Sequence, residues 1–237
     1  MRYKKVLIKL SGEALSGSGS EVFDTKAVEN VLTQIKALID AKVQVGIVIG
    51  GGNIFRGVRG KALGLKQVSG DYMGMLATVM NGIALQDFLY NHGISSKVYS
   101  ALNIPGIVNP YQRHQMLNDL DNGEVVIFVA GVGQPLFTTD SGAALRAVEM
   151  EAELLIKATK VDGVYDRDPV KYPDAKKHDC LGFAEVLDKQ LQVMDLSAFE
   201  VCRANEIDIL VCNIFNSDTL VNAVRGKMPG TLISTKC

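Results

Sequence analysis

Residues 43–57 read VQVGIVIGGGNIFRG: an apolar, β-branched run, three consecutive glycines, and an arginine four residues beyond the last of them. The run 43–49 is apolar at neighbouring positions, the pattern of a strand covered on both faces of a parallel sheet. The turn after it matches neither standard phosphate loop. Gly52 and Gly57 have the spacing of GxxxxGK[ST], but Val58 stands where the lysine belongs, and Phe55 takes the place of the third glycine of GxGxxG after Gly50 and Gly52. The physics of such a turn survives both failures. Glycines let the backbone approach a ligand closely, exposed N–H groups form an anion nest, and Arg56 offers a permanently charged bidentate donor. The same residues would also serve as a plain strand–helix connection.

Further strands are predicted at VLIKL (6–10), SKVYSA (96–101), EVVIFVA (124–130), ELLIKAT (153–159), ILVCNIF (209–215) and TLIS (231–234). Between them lie segments of helical period. Residues 25–41 place Val28, Val31, Leu32, Ile35, Leu38 and Ile39 on one face, with Asp24 as N-cap. Residues 72–91 carry Met73, Met75, Leu76, Val79, Met80 and Leu85, a stripe that reads as core. Helices are also expected near 112–121, 141–151, 184–190, 196–205 and 217–226. Alternation along the whole chain predicts one domain, 1–237, with an α/β fold: a three-layer α/β/α sandwich around a mainly parallel open sheet. In such sheets ligands bind beyond the carboxyl ends of the strands. The turns LSGEALSGSGS, GGGNIFRG, AGVGQPLFTTD and TKVDGVYDRDP should therefore converge on one crevice.

Composition narrows the partners. The chain has 237 residues, net charge −1 and dispersed basic residues, which speaks against nucleic acid or an anionic membrane as the partner. The start, MRYKKVLIKLSGEAL, briefly imitates a signal peptide, but its apolar stretch is short and interrupted by Lys9 and Glu13. No apolar run approaches the ~20 residues of a membrane span, so a cytoplasmic protein is expected. Cys180, Cys202, Cys212 and Cys237 show no metal-binding spacing and read as reduced thiols; His92, His114 and His178 are scattered, and no metal site is predicted.

Lys9, at the end of the first strand and followed by Ser11 and Gly12, is either a strand-end lysine snorkelling to water or a phosphate ligand at the floor of a nest. Asp140 is either a helix N-cap or a carboxylate that orients lysines and keeps them charged, with Thr138 and Thr139 offering hydroxyls and the helix N-terminus offering positive potential. The segment KATKVDGVYDRDP (157–169) lacks the glycine of an EF-hand loop. It is either a solvated turn or a loop clasping a base and ribose, with Tyr165 on the ring.

KLSGEAL, IGGGNIFRG, SGDYMGMLATVMNG, GQPLFTTDSGAALRA, LIKATKVDGVYDRDP and VMDLSAF together resemble the bacterial uridylate kinase branch of the amino-acid kinase superfamily. The likeness runs in order over nearly the whole chain. It implies an amino-acid kinase-like fold, an acceptor-binding N-terminal part, an ATP-binding C-terminal part, and transfer of a phosphoryl group from ATP to UMP in pyrimidine biosynthesis. By position it implies catalytic roles for Lys9, Arg56, Asp140 and Lys157. It puts Lys9, Leu10, Ser11, Gly12, Gly52, Arg56, Thr159, Tyr165 and Asp168 on ATP. Gly51, Asp71, Val132, Gly133, Gln134, Pro135, Leu136, Phe137, Thr138 and Thr139 would bind UMP. Mg²⁺ would arrive with ATP, and a homohexamer with GTP as activator and UTP as inhibitor is the family expectation. The effector loop would be Gly17, Ser18, Gly19, Ser20, Glu21 and Val22, where Val22 replaces an expected glycine and puts GTP activation in question. Two other readings compete: a kinase making an acyl phosphate from a small acid, and a nucleotide-binding module without activity. DYMGMLATVMN and FTTDSGAALRA weigh against the first, and the joint presence of Lys9, Arg56 and Lys157 against the second.

Overall fold

The computed structural model describes residues 1–17, 21–169, 171–191 and 193–237, without the side chains of Val58, Arg59 and Lys61. In chain order the elements are β1 (Lys5–Leu10), α1 (Glu13–Ser16), α2 (Thr25–Asp40), β2 (Gln44–Ile49), α3 (Gly57–Ala62), α4 (Gln67–Asn91), β3 (Ser96–Ser100), β4 (Asn109–Pro110) and α5 (Arg113–Asp121). There follow β5 (Val125–Val129), α6 (Thr139–Glu149), β6 (Leu154–Thr159), β7 (Val164–Tyr165), β8 (Lys177–His178), β9 (Cys180–Leu181), α7 (Phe183–Asp188), α8 (Leu196–Ala204), β10 (Asp208–Asn213), α9 (Thr219–Val224) and β11 (Gly230–Ile233). A nine-stranded sheet runs in the order β4-β3-β5-β2-β1-β6-β10-β11-β9 and is parallel except where β11 returns against β10. Strands β7 and β8 form a separate antiparallel ribbon. All seven strands expected from the apolar runs are present.

The central strands are buried on both faces, as the consecutive apolar positions of β2 and β5 require. One core joins Val6, Ile8 and Leu10 to α2, α4 and α9; the other joins Leu7 and Leu155 to α5, α6, α7 and α8. This is the three-layer arrangement. Side chains alternate along β1, so Leu7 and Lys9 share one face while Ile8 and Leu10 share the other. Asp24 caps α2 by accepting from the Ala27 N–H at 2.8 Å, as its sequence position predicts.

Two expectations are corrected. The apolar stripe of 72–91 belongs to a longer helix, and only part of it is core. Met75, Val79 and Leu85 are buried, whereas Met73, Leu76 and Met80 are 42%, 50% and 57% exposed. Apolar residues occupy two sides of α4, and the sheet covers one. The cysteines are not all thiols: Cys180 and Cys237 form a disulfide that ties residue 237 to β9, while Cys202 and Cys212 are free and buried. The 57-residue separation hides this pairing from any local spacing rule. It forms because β9 pairs with β11.

Candidate active site

Lys9 and Lys157 are register partners on the neighbouring strands β1 and β6. Both point to the face lined by Leu7 and Leu155, towards the first turn of α6. There Asp140 receives them: Lys9 Nζ lies 2.9 Å from Oδ1 and Lys157 Nζ 2.7 Å from Oδ2. Among the described residues no aligned hydrogen bond reaches Oδ1, so the Lys9 charge is what balances it. All three side chains are mostly buried, at 13–16% exposure. Lys9 therefore does not snorkel. Burial pushes the Lys157 amine below the ordinary lysine range, and Asp140 pulls it partly back. Lys157 also donates to the Val193 carbonyl at 2.5 Å. Asp140 is not the cap of α6. Thr138 is, its hydroxyl accepting from the Asp140 and Ser141 N–H groups at 3.1 and 3.2 Å. This frees the Asp140 carboxylate for the lysines.

Two pockets flank this charge cluster. The first, a cavity of 440 Å³, is lined by Gly51, Gly52 and Arg56 after β2, by Asp71 and Thr78 of α4, and by Val132, Gln134, Phe137, Thr138 and Thr139 after β5. Gly133, Pro135 and Leu136 belong to the same turn but do not line the cavity. Leu136 instead donates its N–H to Asp71 at 2.9 Å, leaving that carboxylate one oxygen for other partners. Gly52 and Arg56, expected on the donor side, share this cavity with Gly51. The second pocket, of 590 Å³, includes Lys157, Thr159, Tyr165 and Asp168 in its lining. The Tyr165 hydroxyl donates to Asp162 at 2.6 Å, and the Thr159 hydroxyl to the Val161 carbonyl at 2.9 Å. The expected single crevice is thus two pockets with Asp140 between them.

The turn at 10–12 contributes backbone rather than side chains. Leu10 is fully buried and its carbonyl accepts from Gly50 N–H at 2.8 Å, while Ser11 accepts from Ala14 N–H at 2.9 Å. A Cβ on Gly12 would lie 2.1 Å from the Asn53 oxygen. Beside this turn, Glu13 joins two loops: one oxygen pairs with Arg56 and the other with Lys160 at 2.9 Å.

Several residues that hold the site were not singled out from sequence. Asn81 is fully buried and donates to the Gly50 carbonyl and to Asn53, each at 2.7 Å. Thr78 accepts from the Ala130 N–H at 2.7 Å. That bond pins Ala130 at φ 62°, a left-handed conformation that Leu136 also adopts at φ 72°. Asp195 caps α8 through the Ala198 N–H at 2.9 Å and also accepts from the Thr138 hydroxyl, tying α8 to the turn before α6. Burial pushes its carboxyl upward, but hydrogen bonds led by Thr138 outweigh burial and hold it below the usual carboxylate range. Each lies inside a quoted motif, yet its task depends on a partner 28 to 57 residues away.

Residues 4–213 match the amino acid kinase family. Proteins named uridylate kinase from Photobacterium profundum and Pseudomonas aeruginosa are 49% and 50% identical over 232 residues, covering 98% of this chain and 97% and 95% of theirs. The chain belongs to the uridylate kinases of the amino acid kinase family. The solved structure of UMP kinase from Bacillus anthracis superposes with a TM-score of 0.96 at 35% identity, covering 100% of this chain and 98% of that one. That from Ureaplasma parvum gives 0.93 at 36%, covering 99% and 100%.

Within the uridylate kinase fold, part of the segment expected to respond to effectors belongs to the described residues. Ser18, Gly19 and Ser20 lie outside the described residues. Gly17 closes α1 at φ 61°, Glu21 and Val22 are exposed, and the Val22 carbonyl accepts from Asn53 at 2.9 Å. Among the described residues, no group of three or more His, Cys, Asp or Glu side chains is placed to hold a metal ion, and no helix is long and apolar enough to cross a membrane.

Proposed function

We propose that this chain transfers the γ-phosphoryl group of ATP to UMP, giving UDP. The observation that carries the reading is the Lys9–Asp140–Lys157 cluster between two pockets, in a chain half identical to proteins named uridylate kinase. Phosphoryl transfer brings two polyanions end to end. At about 6 Å and an effective dielectric near 20, each pair of unit charges repels by about 3 kcal/mol. Two lysines sharing one carboxylate leave one net positive charge at the meeting point, and the N-terminus of α6 adds to it. Asp140 is engaged by both lysines and is unsuited to act as a base. Catalysis then rests on positioning and charge stabilisation rather than on a covalent intermediate.

In this reading UMP occupies the first pocket, against Gly51, Asp71 and the turn from Val132 to Thr139. The ATP nucleoside occupies the second, against Thr159, Tyr165 and Asp168, and its phosphates run along the turn from Lys9 to Gly12 towards Gly52 and Arg56. The free Asp71 oxygen suits a ribose hydroxyl. Mg²⁺ enters with the ATP phosphates, whose charge it partly neutralises. The enzyme works in the cytoplasm, in pyrimidine nucleotide synthesis. The outward apolar face of α4 supports assembly into a homo-oligomer, a hexamer by family expectation, with UTP as inhibitor; GTP activation through the loop at 17–22 is the part of that expectation from which Val22 departs.

The deciding assay measures ADP release with UMP, CMP, GMP, aspartate, glutamate, or bicarbonate plus ammonia as separate acceptors. UMP supports turnover and the small acids do not. Turnover with an amino acid and none with UMP would overturn the reading.

A further inference from the structure

The charge pattern of the floor is repeated at the rim. In the floor, Asp140 stands between Lys9 and Lys157. At the rim, Glu13 stands between Arg56 and Lys160, one oxygen to each. The two clusters have the same count, two cations to one carboxylate, and so the same net charge of +1. The rim cluster draws on three separate turns: Glu13 follows β1, Arg56 follows β2 and Lys160 follows β6. These are the turns from which the donor's phosphates would be approached.

An acid beside a polyanion site repels the ligand unless it does something that outweighs the repulsion. Fold stability is a poor explanation. Glu13 is 30% exposed, Arg56 52% and Lys160 51%, and exposed ion pairs of this kind contribute about 0–1 kcal/mol. Orientation is a better one. Free Arg56 and Lys160 side chains sample many rotamers and lose that freedom on meeting a phosphate. Glu13 holds both in place beforehand, and Arg56 is steadied further by its Nε donating to the Gly52 carbonyl at 3.0 Å. The first turn of α1 fixes Glu13 itself, because the Ser11 and Gly12 carbonyls accept from Ala14 and Leu15.

We infer that Glu13 is a positioning residue for the ATP phosphates, presetting Arg56 and Lys160 at the rim as Asp140 presets Lys9 and Lys157 in the floor. This assigns Lys160 to the donor side as well. The inference rests on the reading of the chain as an ATP:UMP phosphotransferase.

The test is steady-state UDP formation by the full-length protein, with ATP and UMP varied in turn. Glu13→Gln raises the KM for ATP about five- to tenfold, the size of one or two exposed ion pairs lost, and the KM for UMP by less, through the Arg56 that lines its cavity. Lys160→Met raises it as well, and the double variant rises by less than the two single effects combined, because both changes break the Glu13–Lys160 pair. Lys160→Arg restores the wild-type value. A purely structural role would move both KM values and the urea midpoint together, without this non-additivity. An unchanged or lowered KM for ATP in Glu13→Gln, an equal rise for UMP, or additive effects in the double variant would overturn the inference. Wild-type protein forming no UDP would instead sink the phosphotransferase reading, so the two failures are distinct.

Discussion

Lys9 and Lys157 face each other across one strand spacing of a parallel sheet, and their amines converge on the two oxygens of Asp140. Two cations this close repel unless an anion lies between them, and Asp140 is the anion that offsets their repulsion. Asp140→Asn should lower kcat about a hundredfold, the scale of losing one preorganised electrostatic element. A pH profile separates this from simple misfolding. Burial already favours neutral Lys157, and Asp140 is the main group opposing that. The rate should fall as pH rises through the depressed Lys157 pKa, and in the Asn variant it should fall at lower pH still. The stability contribution of Lys157 has the opposite sign. The unfolded lysine keeps its proton to higher pH than the folded one, so between the two values folding gains stability from this group as pH rises. A lost rate in that window is a lost charge. An unshifted alkaline limb in Asp140→Asn would argue against the shared-carboxylate account.

The sheet was readable from sequence because its central strands are apolar at consecutive positions, a signal that survives without knowledge of pairing. The strand-end turns were readable for the same reason, since topology alone puts them at one edge of the sheet. Pairings were not. That Lys9 neighbours Lys157 depends on β1 lying between β2 and β6, and no local pattern states a register between residues 148 apart. The short ribbon of β7 and β8 carries only two residues per strand, too few for periodicity to appear. On α4 the hydrophobic stripe was visible but its meaning was not, because an apolar face reads identically whether it meets the sheet or solvent. At Asp140 the sequence left cap and orienter open; the decision came from Thr138, which does the capping instead.

Asn81 bears on stability and on the site together. Its buried amide holds the Gly50 carbonyl and Asn53, and Asn53 in turn reaches Val22. Asn81→Leu leaves these partners unsatisfied in a buried setting, which should cost about 2–3 kcal/mol. The urea midpoint should fall accordingly, with the slope unchanged. A midpoint within error of wild type would mean that water or a shifted Asn53 replaces the bonds.

The two glycines at the ends of the turn should respond differently to alanine. A Cβ on Gly51 would lie 2.7 Å from the Gly74 carbonyl and 2.8 Å from Ala77 Cβ, so the turn would have to move off α4. Among the described residues, nothing lies within 4 Å of a Cβ on Gly57. Gly51→Ala should lower kcat/KM for UMP about tenfold or more, since small misplacements in a positioning site are costly. Gly57→Ala should stay within about twofold of wild type. Equal effects at both positions would remove close packing on α4 as the reason for the glycine at 51.

The disulfide closes a loop across β9 and β11, and the remaining thiols are inaccessible. Burial pushes the thiols of Cys202 and Cys212 up to about 12, so neither should react under native conditions. Non-reducing peptide mapping should recover Cys180 and Cys237 in one linked fragment. Cys237→Ser should lose about 3 kcal/mol of stability through the freed unfolded chain. Four free thiols in unreduced, denatured protein would contradict the pairing.

The outward face of α4 provides the last prediction. Tyr72, Met73, Leu76 and Met80 lie at helical spacing on one side and are 40–57% exposed in the isolated chain. Such a contiguous apolar strip is the mark of an interface rather than of scattered surface residues. If a second copy covers it, a charge placed at its centre must be desolvated or must separate the copies. Leu76→Glu combined with Met80→Glu should therefore shift the protein to a smaller species in size-exclusion chromatography with light scattering. Far-UV circular dichroism should not change, because neither side chain contributes to the core against the sheet. If wild type and variant elute as the same species, the strip is not what joins the copies, and the assembly proposed for this chain would have to rest on another face.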